Sequence, residues 1–209
     1  MDYIKCYAYQ DLNKLKTITD FLESKEQYIL QKYKYRSDFG TSLQEKHVST
    51  RSGGYSVFEF REECTELNDL LDFLTTSYWN YMDNVLPKDA YTGKLNPAIN
   101  CWVNILRDGE NIGRHKHSQD HTPWWSFISA SMVLRAKNTC TRYMYKDETL
   151  SIDNAIGNLT IFPPHIDHWT DTHRDTQNRV TLGMDFFFDK DHSKGSGDFH
   201  DSIVILSKL

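Results

Sequence analysis

From Pro97 onward the hydrophobic period changes from helical to alternating, and that change limits the fold more than any other feature. Before it, from Thr65 to about Leu86, the residues Leu67, Leu70, Leu71, Leu74, Tyr78, Tyr81, Met82 and Val85 recur at intervals of three or four, and Pro87 stops the pattern. Such spacing is the buried stripe of an amphipathic helix. After Pro97 apolar and polar residues alternate, which predicts strands over 98–106, 112–118, 124–135, 141–145, 158–162, 168–170 and 179–189, with a turn at Arg107-Asp-Gly-Glu110. Short strands divided by turns favour a sandwich or barrel. The flat surface that the helix stripe must cover is then the antiparallel sheet downstream of it.

The first half supplies further supporting elements. Residues 3–8 alternate as a first strand, and Asp11 caps a helix to about Tyr33 that carries Leu12, Leu15, Ile18, Leu22 and Ile29 on one side. The polar stretch 40–54 reads as a loop leading to a strand at Tyr55-Ser-Val-Phe-Glu-Phe60, and 203–206 reads as an edge strand after a Lys-, Ser- and Gly-bearing tail. With 209 residues the expectation is a single domain, 1–209, in which 1–96 form a helical support layer with edge strands, 97–189 the β core and 190–209 a tail.

Charge and cysteine usage exclude several function classes. A net charge of -5 leaves no broad basic face for phosphates, so no nucleic-acid partner is expected; the one basic and aromatic strip, Lys32-Tyr-Lys-Tyr-Arg36, also suits a solvated helix end. Cys6, Cys64, Cys101 and Cys140 form no C-x-x-C pair, which argues against a zinc ribbon or a disulfide framework. The N-terminus has no cationic region followed by an apolar one, and no run of about eighteen apolar residues occurs. These features predict a cytoplasmic protein with no membrane partner, in a host cytoplasm if phage-encoded.

Six of the nine histidines fall between Gly109 and Arg179. His115 and His117 are two positions apart, so on a strand both imidazoles project from one face and can reach one ion. Imidazole suits iron, zinc, copper and nickel alike. His165 and His168 are rival distant ligands; His121 and His173 lie in polar, turn-like surroundings and are expected to be exposed. Arg179 opens the run Arg-Val-Thr-Leu-Gly-Met-Asp-Phe-Phe-Phe and either makes a surface ion pair or forks onto a carboxylate. Trp124, Trp125 and Trp169 flank the histidines and suit either sheet packing or a water-excluding wall.

The segment Asn100-Cys-Trp-Val-Asn104, the pair His115-Lys-His117, Gly157-Asn-Leu-Thr-Ile-Phe-Pro-Pro164, His168 and Arg179-Val-Thr181 together resemble the iron(II)- and 2-oxoglutarate-dependent oxygenases. The likeness is to their prolyl-hydroxylase-like group of small bacterial and phage proteins, and it covers roughly residues 98–188. It implies a mainly β protein with N-terminal helices, the β core being a double-stranded β-helix, a jelly-roll or cupin-like barrel supported by long helices. It further implies Fe(II) on His115, His117 and His168, and 2-oxoglutarate held by Arg179 and Thr181 with Asn104 beside it. The reaction it implies is hydroxylation, with dioxygen, of a peptidyl or small-molecule substrate. One departure stands out: the usual H-x-D/E reads H-x-H, leaving open whether His117 or Asp120 completes the metal site. The alternative reading is a cupin-like metal-binding barrel without 2-oxoglutarate chemistry, against which the missing glutamate ligand and the presence of Arg179 both weigh.

Overall fold

The computed structural model describes residues 2–34, 41–52, 54–85, 97–117, 128–187 and 204–206. Among them, β1 (Lys5–Ala8) leads into α1 (Leu12–Lys32), and α2 (Glu66–Val85) precedes β2 (Ala98–Leu106). The remaining strands are β3 (Ile128–Arg135), β4 (Cys140–Tyr145), β5 (Glu148–Asp153), β6 (Asn158–Phe162), β7 (Asp167–Thr170), β8 (Arg179–Phe187) and β9 (Val204–Ile205). They pair antiparallel in two sheets, a six-stranded one in the order β1-β6-β3-β8-β2-β9 and a three-stranded one in the order β5-β4-β7. This is the expected double-stranded β-helix with two N-terminal helices laid against it.

Period two along the central strands divides the layers. On β8, Val180, Leu182, Met184 and Phe186 point to the helices and join Ile99, Cys101, Val103 and Ile105 of β2 in the main core. Arg179, Thr181, Gly183 and Asp185 point the other way, into a cavity shared with Thr141, His168 and Thr170 of the small sheet. A second, smaller apolar cluster of Ile4, Tyr143, Phe162 and Ile166 packs beside that cavity.

Both helices obey their sequence signals. Asp11 accepts the Lys14 N–H at 3.1 Å as the cap of α1, and Leu15, Ile18, Leu22 and Ile29 are fully buried. Leu12 does not join that stripe: it lies in the first turn and is 53% exposed. On α2, Leu67, Leu70 and Leu74 are completely buried against the sheet, each contributing about 1.5–3 kcal/mol. Among the described residues no helix is long and apolar enough to cross a membrane.

Three strand assignments need correction. Residues 55–60 form no strand; Val57–Phe60 is a 3-10 helix in which the Ser56 hydroxyl accepts the Phe58 N–H at 3.4 Å. Tyr55, Val57, Phe58 and Phe60 are all buried and only Glu59 is exposed, so burial does not follow a two-residue period. The Tyr55 hydroxyl, at its start, accepts the Val103 N–H of β2 at 3.0 Å. The polar stretch before it also contains a short buried 3-10 turn, Val48–Arg51. Residues 112–117 are not a regular strand either: they make a single bridge, His115 to His168. Finally β5 was not among the expected strands: Thr149, Ser151 and Asp153 are exposed and Leu150 and Ile152 alternate with them, half-buried on the smaller cluster. Residues 118–127, and with them Asp120, His121, Trp124 and Trp125, lie outside the described residues, as does most of the tail.

Candidate metal and cosubstrate site

Three backbone hydrogen bonds position His115 and His117 without a regular strand. The His115 N–H donates to the His168 carbonyl at 3.0 Å and the His168 N–H returns to the His115 carbonyl at 2.8 Å, while the His117 N–H reaches the Pro164 carbonyl at 3.0 Å. The segment thus runs alongside β7 and delivers both imidazoles to the one on that strand. One ring nitrogen from each of His115, His117 and His168 lies within 4.8 Å of the others.

Partners of the opposite ring nitrogens fix the tautomers. Nδ1 of His115 lies 2.9 Å from the Gly113 carbonyl and Nδ1 of His168 lies 3.1 Å from the Ile166 carbonyl. A carbonyl oxygen only accepts, so each Nδ1 carries the proton and each Nε2 presents a free lone pair. Nδ1 of His117 lies 2.6 Å from Oδ1 of Asp185, and the Ser129 hydroxyl donates to that same oxygen at 2.7 Å. Burial, reinforced by the neighbouring His117, pulls the His115 pKa down to about 4. Burial and then the two neighbouring imidazoles hold His168 well below its ordinary value. Both are therefore neutral at pH 7, the state that binds metal.

Of the two rival histidines, it is the one at position 168 that joins the cluster. His168 is buried in the cluster, whereas His165 is exposed and stands over the Tyr145 ring. His173 is not exposed as expected: it is 1% exposed, because its N–H pairs with the Glu110 carbonyl and Nε2 meets the Gln177 carbonyl at 2.6 Å. It fastens the loop before β8 to the turn after β2.

Arg179 is among the most buried side chains of the protein, 1% exposed. Its Nη2 donates to the Thr141 hydroxyl at 3.3 Å, while Nε and Nη1 have no partner among the described residues. Burial lowers its pKa to about 10, so the guanidinium remains charged at neutral pH. A surface ion pair is ruled out by that burial. Thr181 lies across β2 from Asn104, whose amide donates to the Thr181 hydroxyl at 3.5 Å, and both are buried. Histidines, Arg179, Thr181 and Asn104 all line one cavity of about 370 Å³, large enough for a small organic acid and part of a second molecule.

Among the described residues, three further aromatic rings stand beside the histidines. Trp102, Phe162 and Tyr143 stand 5.8 Å from His117, 4.8 Å from His168 and 6.0 Å from His168, ring centre to ring centre. Trp169 lines the cavity with the Arg114 guanidinium over it. The Trp102 indole lies on Gly183, where an added Cβ would come within 2.6 Å of the ring. Sequence reasoning missed Asp185, Ser129, Thr141 and Tyr143. A signal for Asp185 was present: it is the carboxylate in an otherwise apolar run, at an even interval from Arg179.

No family model and no curated protein matches this sequence. Solved structures do. A prolyl-4-hydroxylase of Pseudomonas putida is 10% identical over 90% of this chain and 93% of its own, with a TM-score of 0.57. A prolyl hydroxylase from Trichoplax adhaerens, solved with a hypoxia inducible factor peptide fragment, is 10% identical over 94% of this chain and 88% of its own, at 0.60. The viral collagen prolyl hydroxylase of Paramecium Bursaria Chlorella virus-1, solved with 2-oxoglutarate, is 9% identical over 88% of this chain and 95% of its own, at 0.54. The chain therefore shares, over about nine-tenths of its length, the fold of these solved prolyl hydroxylases.

Proposed function

We propose that this protein is an Fe(II)- and 2-oxoglutarate-dependent dioxygenase that hydroxylates a C–H bond of a peptidyl or small-molecule substrate. One observation carries the reading: a cluster of three imidazoles, of which His115 and His168 are held neutral by burial, shares a cavity with a buried guanidinium whose Nε and Nη1 have no partner among the described residues. Three nitrogen donors suit a first-row divalent metal and leave coordination positions open. An unpaired buried cation is costly, and a dicarboxylic acid seated between metal and arginine removes that cost.

In this reading His115, His117 and His168 would hold Fe(II), and the Arg179 guanidinium would take the distal carboxylate of 2-oxoglutarate. The bound iron and cosubstrate supply dioxygen activation. The protein's own part is placement and exclusion. Thr141 steers the guanidinium through Nη2, the Thr181 hydroxyl faces the same carboxylate, and Asn104 holds that hydroxyl in place. Trp102, Phe162 and Tyr143 keep water from the metal side of the cavity.

The test is spectroscopic. Anaerobic addition of Fe(II) and 2-oxoglutarate should produce the weak visible charge-transfer band of the chelate, and His168→Ala should abolish it while His165→Ala leaves it intact. Metal binding without any such band would instead support a cupin-like metal-binding barrel.

A further inference from the structure

The three histidines are not equivalent. Those at 115 and 168 give their Nδ1 protons to backbone carbonyls, which are neutral, whereas the one at 117 faces a carboxylate at 2.6 Å. That carboxylate is built in from both sides. Asp185 on β8 pairs with Asn100 of β2 and with Ser129 of β3 in one transverse row across the inner face of the large sheet. The Ser129 hydroxyl reaches Asp185 Oδ1 at 2.7 Å and His117 Nδ1 at 3.1 Å, and the two side chains of the ion pair are only 10% and 18% exposed.

We propose that Asp185 is a positioning residue that completes the metal site at one remove, returning through His117 the negative charge that the H-x-H sequence withholds. The inference rests on the metal reading above. A facial triad of two histidines and a carboxylate offers a divalent cation one anionic ligand, and three neutral imidazoles offer none. A carboxylate accepting the Nδ1–H of a ligating imidazole fixes its tautomer, aims Nε2 and raises its basicity. The charge lost from position 117 has thus moved to position 185, where it also forbids a second carboxylate at 117.

That last consequence makes the proposal separable from a merely structural role. The dissociation constant for Co(II), measured against a competing chelator, would be determined for the wild type, His168→Ala, Asp185→Asn, Ser129→Ala, His117→Asp and the double variant His117→Asp/Asp185→Asn. The asparagine keeps the shape and an accepting oxygen, so Asp185→Asn isolates the charge; it should weaken Co(II) about 10–100-fold. Ser129→Ala, which leaves the charge and loosens its orientation, should weaken it less. In His117→Asp two carboxylates crowd one spot, so Co(II) should bind poorly, and the double variant should bind it more tightly than that single variant. Unchanged affinity in Asp185→Asn, or a double variant no better than His117→Asp, would overturn the role of Asp185 while leaving the histidine site intact. If the wild type bound Co(II) no better than His168→Ala, the metal reading itself would fall, and the inference with it.

Discussion

Replacing Arg179 by alanine separates cosubstrate binding from everything else in the cavity. The guanidinium is 1% exposed, holds the Thr141 hydroxyl with one nitrogen and leaves Nε and Nη1 unpartnered among the described residues. With its pKa lowered to about 10 by burial it is still charged at pH 7, so an incoming carboxylate meets a desolvated cation with two free donors. Breaking such a pair costs about 2–5 kcal/mol. The lower figure already corresponds to a loss of about thirtyfold in affinity. Calorimetric titration of 2-oxoglutarate into anaerobic Fe(II)-loaded wild type and Arg179→Ala reads this directly, and Fe(II) affinity should be nearly equal in the two proteins. Arg179→Lys should fall between them, because a point charge lacks the planar fork. Among the described residues no carboxylate is hydrogen-bonded to the guanidinium of the ligand-free protein, so the substitution should destabilise by less than the ~3–5 kcal/mol typical of breaking a buried pair. Equal 2-oxoglutarate affinity in wild type and Arg179→Ala would refute the assignment.

Two further outcomes follow from the same geometry. In metal-free protein His115 and His168 have folded pKa values below the ordinary imidazole value, so between about pH 6.5 and pH 4 the unfolded chain binds more protons and stability falls as pH falls; urea midpoints should drop across that window, and drop less in His168→Ala. Gly183→Ala would drive a methyl group to within 2.6 Å of the Trp102 ring, so it should cost about 1–3 kcal/mol in urea unfolding and shift tryptophan fluorescence.

The architecture was legible where the two faces of a stretch differ in polarity. Helices α1 and α2 and strands β2, β4, β6 and β8 each alternate between core and something else, and their boundaries match the expected ones within a few residues. At Tyr55–Phe60 the alternation misled, because the buried positions include neighbours such as Val57 and Phe58; on β5 the apolar signal was short, only Leu150 and Ile152. The site behaved similarly. His115, His117, His168, Arg179, Thr181 and Asn104 were identified through a resemblance in which their order along the chain mattered, and the fold brings all six to one cavity. Asp185 was not found, since the search for the missing carboxylate stayed close to His117 in sequence, at Asp120. Only the pairing of β8 with β3 shows that the carboxylate beside that imidazole comes from 68 positions away. His173 was misjudged for a related reason: polar neighbours in sequence say nothing about a loop that the turn after β2 folds under.

The most direct test of the dioxygenase reading is succinate formation from 2-oxoglutarate by protein loaded with Fe(II), under air and without added substrate. Slow turnover that needs both Fe(II) and dioxygen, and that disappears in His168→Ala, is the expected result. Protein that binds Fe(II) through the histidines yet yields no succinate and shows no saturable 2-oxoglutarate binding would contradict it, and would leave a metal-binding barrel of the cupin kind in its place.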